Sequence, residues 1–207
     1  MTHIKKPASA TIPQGVISIS DYESAARDRM RHDIAEYIYA GSADEQTLYR
    51  NRYGFQNYPI YNRVLADFSN ADTSIPLFGK ILPHPFLLAP VAHQGLVHPD
   101  GERATAMAAN AMQTPMIISS LSNIPVEQIT AQEGTFWFQL YWQGERVRTK
   151  TLLEKAIAAG VEAIVITLDA AVSGVRNRAQ RAGFYLPETL SEANLTDLPR
   201  SAPRTLE

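Results

Sequence analysis

From Pro85 onward the chain repeats one pattern: a short continuous apolar run, a turn signal, then a helical stretch. Four runs carry it: Phe86 to Ala92, Met116 to Leu121, Phe136 to Trp142 and Ala163 to Asp169. Between them lie the Ala- and Met-rich stretch Gly101 to Met112, a short helix Val126 to Gln132, and a long helix Val147 to Ala159. In the long helix Leu152, Leu153, Ala156 and Ile157 form an apolar stripe, and Gly160 stops it. Continuous apolar strands alternating with helices imply a parallel sheet covered by helices. Right-handed crossovers leave two main architectures, an open doubly wound sheet or a closed β/α barrel.

Two observations favour the barrel. Each run ends in small or polar residues, namely Pro90-Val91-Ala92, Ser119-Ser120, Gln139-Leu140-Tyr141 and Thr167-Leu168-Asp169. Barrels place their working residues at these C-terminal strand ends. No Gly-x-Gly-x-x-Gly follows the first run, so the dinucleotide-binding alternative lacks its main signature. A complete barrel has eight strands and typically about 250 residues. The expected class is therefore α/β: an N-terminal helical segment plus the first four β/α units of a TIM (β/α)8 barrel, truncated after half its strands.

The N-terminal part reads differently. Residues 1–18 form a polar, proline-containing arm, expected to be flexible and unlike a signal peptide. Ser20 and Asp21 offer an N-cap for an amphipathic run through Met30. A second helical run, His32 to Ala40, ends at Gly41, and a third runs from Asp44 to Tyr53. Residues 54–75 are irregular. A hairpin follows, with Ile75 to Phe78, a Gly79-Lys80 turn and Ile81-Leu82. The domain reading is thus 1–18 arm, 19–84 helices and hairpin, 85–187 half-barrel, and 188–207 a disordered segment rich in Pro, Ser and Glu.

Composition narrows the function classes. With no cysteine among 207 residues, disulfides, thiolate metal sites and cysteine nucleophiles are excluded. A net charge of -2 argues against a nucleic-acid or anionic-membrane partner. The densest basic group, Arg27, Arg29 and Arg31, lies at helical spacing on a solvated face. The apolar windows are too short and too proline-broken to span a bilayer, so the chain is read as cytoplasmic.

Several stretches, in order along the chain, resemble one family. Glu36-Tyr37-Ile38-Tyr39-Ala40-Gly41-Ser42-Ala43-Asp44-Glu45-Gln46-Thr47 resembles the N-terminal helix motif of the FMN-dependent 2-hydroxy-acid oxidases and dehydrogenases. Leu88-Ala89-Pro90-Val91-Ala92, His98-Pro99-Asp100-Gly101-Glu102, Phe138-Gln139-Leu140-Tyr141, Thr167-Leu168-Asp169 and Val172-Ser173-Gly174-Val175-Arg176-Asn177-Arg178 follow in that family's order. The resemblance covers residues 20–187. Ala-His-Gln-Gly-Leu-Val-His and Val-Ser-Gly-Val-Arg look most like the L-lactate oxidase branch.

The resemblance implies FMN as cofactor and a small, lactate-like 2-hydroxy acid as substrate, oxidised to the 2-oxo acid. It implies cofactor contacts from the Pro90, Val91 and Ala92 backbone and from Ser119, Gln139 and Thr167, which would hydrogen-bond the flavin's polar edge. Arg176 would clamp the substrate carboxylate with two parallel bonds. Arg178 competes for that role, and the spacing from Asp169 favours Arg176. Tyr37 would bind the carboxylate, and Tyr141 the hydroxyl or the charge developing beside it. Tyr39 and Tyr49 read as core residues with one polar tip. Asp169 would orient and charge-stabilise the family's catalytic histidine.

That histidine lies in a His-Gly-Gly motif, and this sequence contains none. Its five histidines, His3, His32, His84, His93 and His98, all precede the second run. His93 is read as pocket lining, not as a replacement base. Leu121 stands where the family often has tryptophan, which leaves the substrate's identity open. The flavin-contacting lysine of the fifth strand and the phosphate-binding loops after strands seven and eight are not present either. The expectation is a chain that supplies part of an active site, completed by a C-terminal half. Relatives in the family commonly form tetramers, so a completed protein is expected to be a homo-oligomer. The alternative is an inactive fragment or a partner-binding relic.

Overall fold

The computed structural model describes Ile12, residues 14–169 and residues 173–198. Most of the predicted arm and all of 199–207 lie outside the described residues. The chain divides into two compact units. One takes the described residues up to Asp72 together with 173–186; the other takes Thr73 to 169 together with 187–198. Where the sequence reading draws boundaries at 84/85 and 187/188, the hairpin groups with the sheet and 173–186 with the N-terminal helices.

The first unit is helical. α1 (Ile19–Arg27) is capped by Ser18, not by Ser20 or Asp21. Ser18 Oγ accepts from the Asp21 N–H, and the Asp21 carboxylate accepts from the Ser18 N–H at 2.8 Å. This reciprocal capping box satisfies two otherwise orphaned donors and starts the helix earlier than expected. α2 (His32–Tyr39) buries Ile34 and Ala35, and α3 (Gln46–Tyr53) runs into a 3-10 turn, Gly54–Asn57. α7 (Asn177–Arg181) buries Ala179 and packs against α2. Tyr39 meets its expectation in part: its hydroxyl donates to the Glu23 carbonyl, and Arg27 lies 3.8 Å over its ring. Tyr49 does not. It is 59% exposed and stacks on Tyr53 one helical turn away.

The second unit is an α/β layer. β1 (Ile75–Leu77) and β2 (Lys80–Leu82) form an antiparallel hairpin. Its turn is Phe78-Gly79, one residue earlier than predicted, with both residues at positive φ as a type I′ turn requires. The first apolar run, Phe86 to Ala92, forms no strand. Leu88 alone bridges to Met116 in the parallel sense, accepting from Ile117 N–H and donating to Pro115. Pro83, Pro85 and Pro90 bracket it, and each removes a backbone donor that a ladder needs.

The remaining runs pair as predicted. β3 (Met116–Ser119), β4 (Phe136–Leu140) and β5 (Ala163–Ile166) form a parallel sheet in the order β3-β4-β5. α4 (Gly101–Ala111), α5 (Val126–Thr130) and α6 (Arg146–Ala158) connect and cover it. Every residue of β4 is buried, which is why its sequence is apolar without alternation. Met116, Ile118, Phe138 and Leu140 meet Ala106, Ala109, Ile129, Leu152 and Ala156 in one core. Ile157, assigned to the same stripe, is instead 57% exposed.

Residues 188–198, expected to be disordered, are packed against the sheet unit. Asn194 is fully buried: its Oδ1 accepts from the Val126 N–H at 2.8 Å, and its Nδ2 donates to Ser122 Oγ at 2.8 Å. The first orphan donor of α5 is satisfied from a segment 68 residues away. Leu198 joins the sheet core beside it.

Candidate active site

In the sheet unit the polar residues gather at the C-terminal strand ends. Register places Ser119 opposite Gln139, and Thr167 directly follows β5. Gln139 is 2% exposed. Its Oε1 accepts from the Ser120 N–H (3.3 Å) and hydroxyl (3.4 Å), and its Nε2 donates to Thr167 Oγ1 at 2.9 Å. One amide therefore bridges the ends of all three strands. Ser119 Oγ accepts from the Leu121 N–H at 3.1 Å. The Ser119 and Thr167 hydroxyls act as acceptors in these bonds, which leaves their hydrogens available to an outside acceptor.

The segment Pro90-Val91-Ala92 runs beside the end of β3, and Val91 is 56% exposed. Its carbonyl accepts from the Gln94 amide, and the next residue, His93, donates its N–H to Leu121. His93 has a left-handed backbone (φ 57°) and is 7% exposed, so it is packed within the loop, not open to a pocket. Burial holds its pKa below the usual imidazole value, against the opposing pull of Glu192 and Glu102. The ring is accordingly neutral near pH 7, and its 3.8 Å approach to Glu192 is not a charge pair there. Tyr141 is half-buried just after β4, its carbonyl held by the Gln143 amide. Asp169 is exposed and makes no hydrogen bond or ion pair with any described residue.

In the helical unit the two predicted substrate residues meet. The Arg176 guanidinium lies 4.8 Å from the centre of the Tyr37 ring, and its Nη1 donates to the Tyr37 carbonyl at 3.3 Å. Phe184 also stacks on the Tyr37 ring, 4.1 Å away between centroids and nearly parallel. Arg176 is exposed and has no carboxylate partner among the described residues. Arg178 is engaged elsewhere. Its Nε and Nη2 grip Glu36 at 2.6 and 2.9 Å, and its Nη1 donates to Glu45 at 3.0 Å. Hydrogen bonding from Arg178 lowers the Glu36 pKa, and Glu36 in turn raises that of Arg178. The guanidinium fork of Arg178 is thus occupied, and that of Arg176 is available.

The sequence model of the family described as FMN-dependent dehydrogenase matches residues 26–207. The chain belongs to the FMN-dependent dehydrogenase family. An L-lactate oxidase of Alicycliphilus denitrificans is 43% identical over 94% of this chain and 54% of its own length. A 4-hydroxymandelate oxidase of Amycolatopsis orientalis is 40% identical over 86% of this chain and 50% of its own. A crystal structure of mandelate oxidase with (S)-2-phenylpropionate superposes with a TM-score of 0.84 at 39% identity, over 89% of this chain and 55% of that one. The chain spans about half the length of the relatives it matches.

FMN is the cofactor that membership of the FMN-dependent dehydrogenases indicates. The donor set at the strand ends fits the polar edge of its ring system, which presents carbonyl and ring-nitrogen acceptors beside one N–H. Two hydroxyls and a buried amide offer both donors and acceptors to such an edge. Among the described residues no helix is long and apolar enough to cross a membrane.

Four residues of these clusters escape sequence reasoning: Ser120, Phe184, Glu102 and Asn194. Ser120 and Glu102 lie inside the stretches named above but carry no role of their own there; an acidic residue in the first turn of a helix is the signal that could have found Glu102. Phe184 and Asn194 carry no local signal, because their partners lie far away in sequence.

Proposed function

We propose that this chain supplies the N-terminal part of an FMN-dependent active site that oxidises a small, lactate-like L-2-hydroxy acid to the 2-oxo acid in the cytoplasm. The observation that carries this reading is the Gln139 bridge between Ser120 and Thr167 at the strand ends. The pairing of Arg176 with Tyr37 supports it. The sheet unit is read as the first part of a TIM (β/α)8 barrel whose later strands lie in a complementing C-terminal half. A completed protein of this kind is read as a homo-oligomer.

Each residue has a role in that reading. Ser119, Gln139 and Thr167 hold the polar edge of the flavin. Their own hydrogen bonds fix these groups before the cofactor arrives, so little ordering is left to do on binding. Pro90, Val91 and Ala92 offer backbone and small side chains on which a flat ring can lie closely. FMN, when bound, supplies a two-electron acceptor for the hydrogen on the substrate's C2. Arg176 grips the substrate carboxylate, with Tyr37 beside it. Tyr141 holds the substrate hydroxyl. Asp169 steadies the imidazolium of a histidine base that the complementing half contributes.

An inactive, partner-binding fragment is the second reading. What favours it is the exposure of Tyr58, Ile60, Tyr61, Leu65 and Phe68 along one irregular stretch, an apolar run suited to contact. One experiment separates the two. The visible spectrum of the purified chain, with FMN added, is recorded before and after anaerobic L-lactate, alone and with a His-Gly-Gly-bearing C-terminal half. The chain alone is expected to hold no stoichiometric FMN, because the phosphate-binding loops of the barrel follow its last strands. With the second half, a flavin band that bleaches is expected. A band that never bleaches would leave the fragment reading standing.

A further inference from the structure

Glu102 has no part in the chemistry above, yet it is fully buried in the first turn of α4. Its Oε1 accepts two backbone N–H groups at once, that of Gln94 at 3.2 Å and that of Asn123 at 3.1 Å. Gln94 stands two residues after Ala92, and its side chain reaches back to the Val91 carbonyl. Asn123 stands four residues after Ser119, and its Oδ1 accepts the Gly95 N–H. The two loops share no ladder at this point: one backbone bond, from the His93 N–H to the Leu121 carbonyl at 3.3 Å, joins them directly, and side chains make the rest of the joint. Glu102 is the only one of these groups that binds both loops through backbone N–H alone and from a third element. Its Oε2 has no hydrogen-bond partner among the described residues. A buried carboxylate oxygen left bare costs stability, and a position retained only for packing would be better filled by an apolar side chain.

We infer that Glu102 is a positioning residue: it locks the loop carrying Pro90–Ala92 to the loop that follows Ser119, so that the backbone platform and the hydroxyl donors keep one fixed geometry. The functional weight of this lock rests on the reading of these segments as the cofactor platform. The lock itself does not.

Amide exchange in the full 207-residue chain, resolved by residue with NMR, tests it. Glu102→Met keeps the volume and removes the acceptor. Glu102→Gln keeps an oxygen able to accept both N–H groups. In the Met variant the Gln94 and Asn123 amides are expected to exchange about 10- to 100-fold faster, since each loses its acceptor. The amides of Ile118 and Phe138 are expected to stay unchanged, and the Gln variant to recover most of the protection. Equal loss throughout the sheet would make Glu102 a packing residue and overturn the inference. So would a Gln variant as impaired as the Met variant, or a Met variant with no local loss. With the His-Gly-Gly-bearing C-terminal half added, a second arm measures riboflavin binding by fluorescence quenching, which reports the ring without the phosphate. Affinity is expected to fall tenfold or more in Glu102→Met. Binding that survives loss of the lock would overturn the link to the cofactor. A wild-type chain that never quenches riboflavin would instead count against the proposed function, while the exchange rates still decide the lock.

Discussion

Phe138→Ala is expected to destabilise the sheet unit by about 3–5 kcal/mol. Phe138 is the middle residue of β4, the middle strand, and is fully buried. It pairs in register with Ile118 on one side and Ile164 on the other, so a cavity there cannot be closed by a shift of one neighbour alone. The helices over it contribute Leu152 and Ala156, both fully buried, and these are held by their own backbones. Whole domains are typically stable by only about 5–15 kcal/mol. A three-stranded sheet sits toward the lower end of that range, so the variant is expected to populate unfolded forms at room temperature. Near-ultraviolet circular dichroism from the adjacent Trp137, followed through urea unfolding, gives the measurement. A midpoint close to that of the wild type would mean that the core repacks freely.

Arg178→Met is expected to cost the helical unit about 2 kcal/mol, after allowance for partial exposure of the pair. Arg178 is 35% exposed and Glu36 15%, and the variant leaves Glu36 and Glu45 facing each other without their shared cation. The effect carries a pH signature. Because the folded state lowers the Glu36 pKa, the unfolded state binds more protons in acid. The stabilisation is therefore complete above the ordinary carboxylate value of 4.5 and is lost as pH falls through the lower folded value. In the Met variant Glu36 loses the hydrogen bond that chiefly lowers its pKa. The variant's acid-side profile is expected to flatten. Helical circular dichroism at a series of pH values checks this, and parallel profiles for the two proteins would refute it.

Much of this architecture can be read from local pattern. The runs that became β3 and β4 are continuous and apolar because their strands are buried on both faces or nearly so, while β5, at the edge of the sheet, is only half-buried and leaves Ile166 exposed. Gln139 and Thr167 stood out as polar residues closing such runs, and the structure joins them by one hydrogen bond. Choosing Arg176 over Arg178 rested on spacing and a resemblance, whereas the structure gives a physical reason in the occupied fork of Arg178. The failures share a cause. Phe86 to Ala92 has the composition of a strand, but its prolines deny it a ladder. Asn194 looks like a loop residue because its partners, Ser122 and Val126, lie 72 and 68 residues away. Glu102 was read as part of a motif, and its burial follows only from how two loops close over α4.

The pairing of Arg178 with Glu36 has a consequence for how the protein comes into being. These residues are 142 positions apart, and α7 packs against α2, the helix in which Ile34 and Ala35 are buried. At a synthesis rate of ~5–20 residues per second, α2 leaves the ribosome roughly 7 to 28 s before its partner. Throughout that interval the first helices hold an uncovered apolar face, while the sheet that follows them is being assembled. The first residues made are thus among the last to be enclosed, and the apolar face of α2 stays open to its like until α7 arrives.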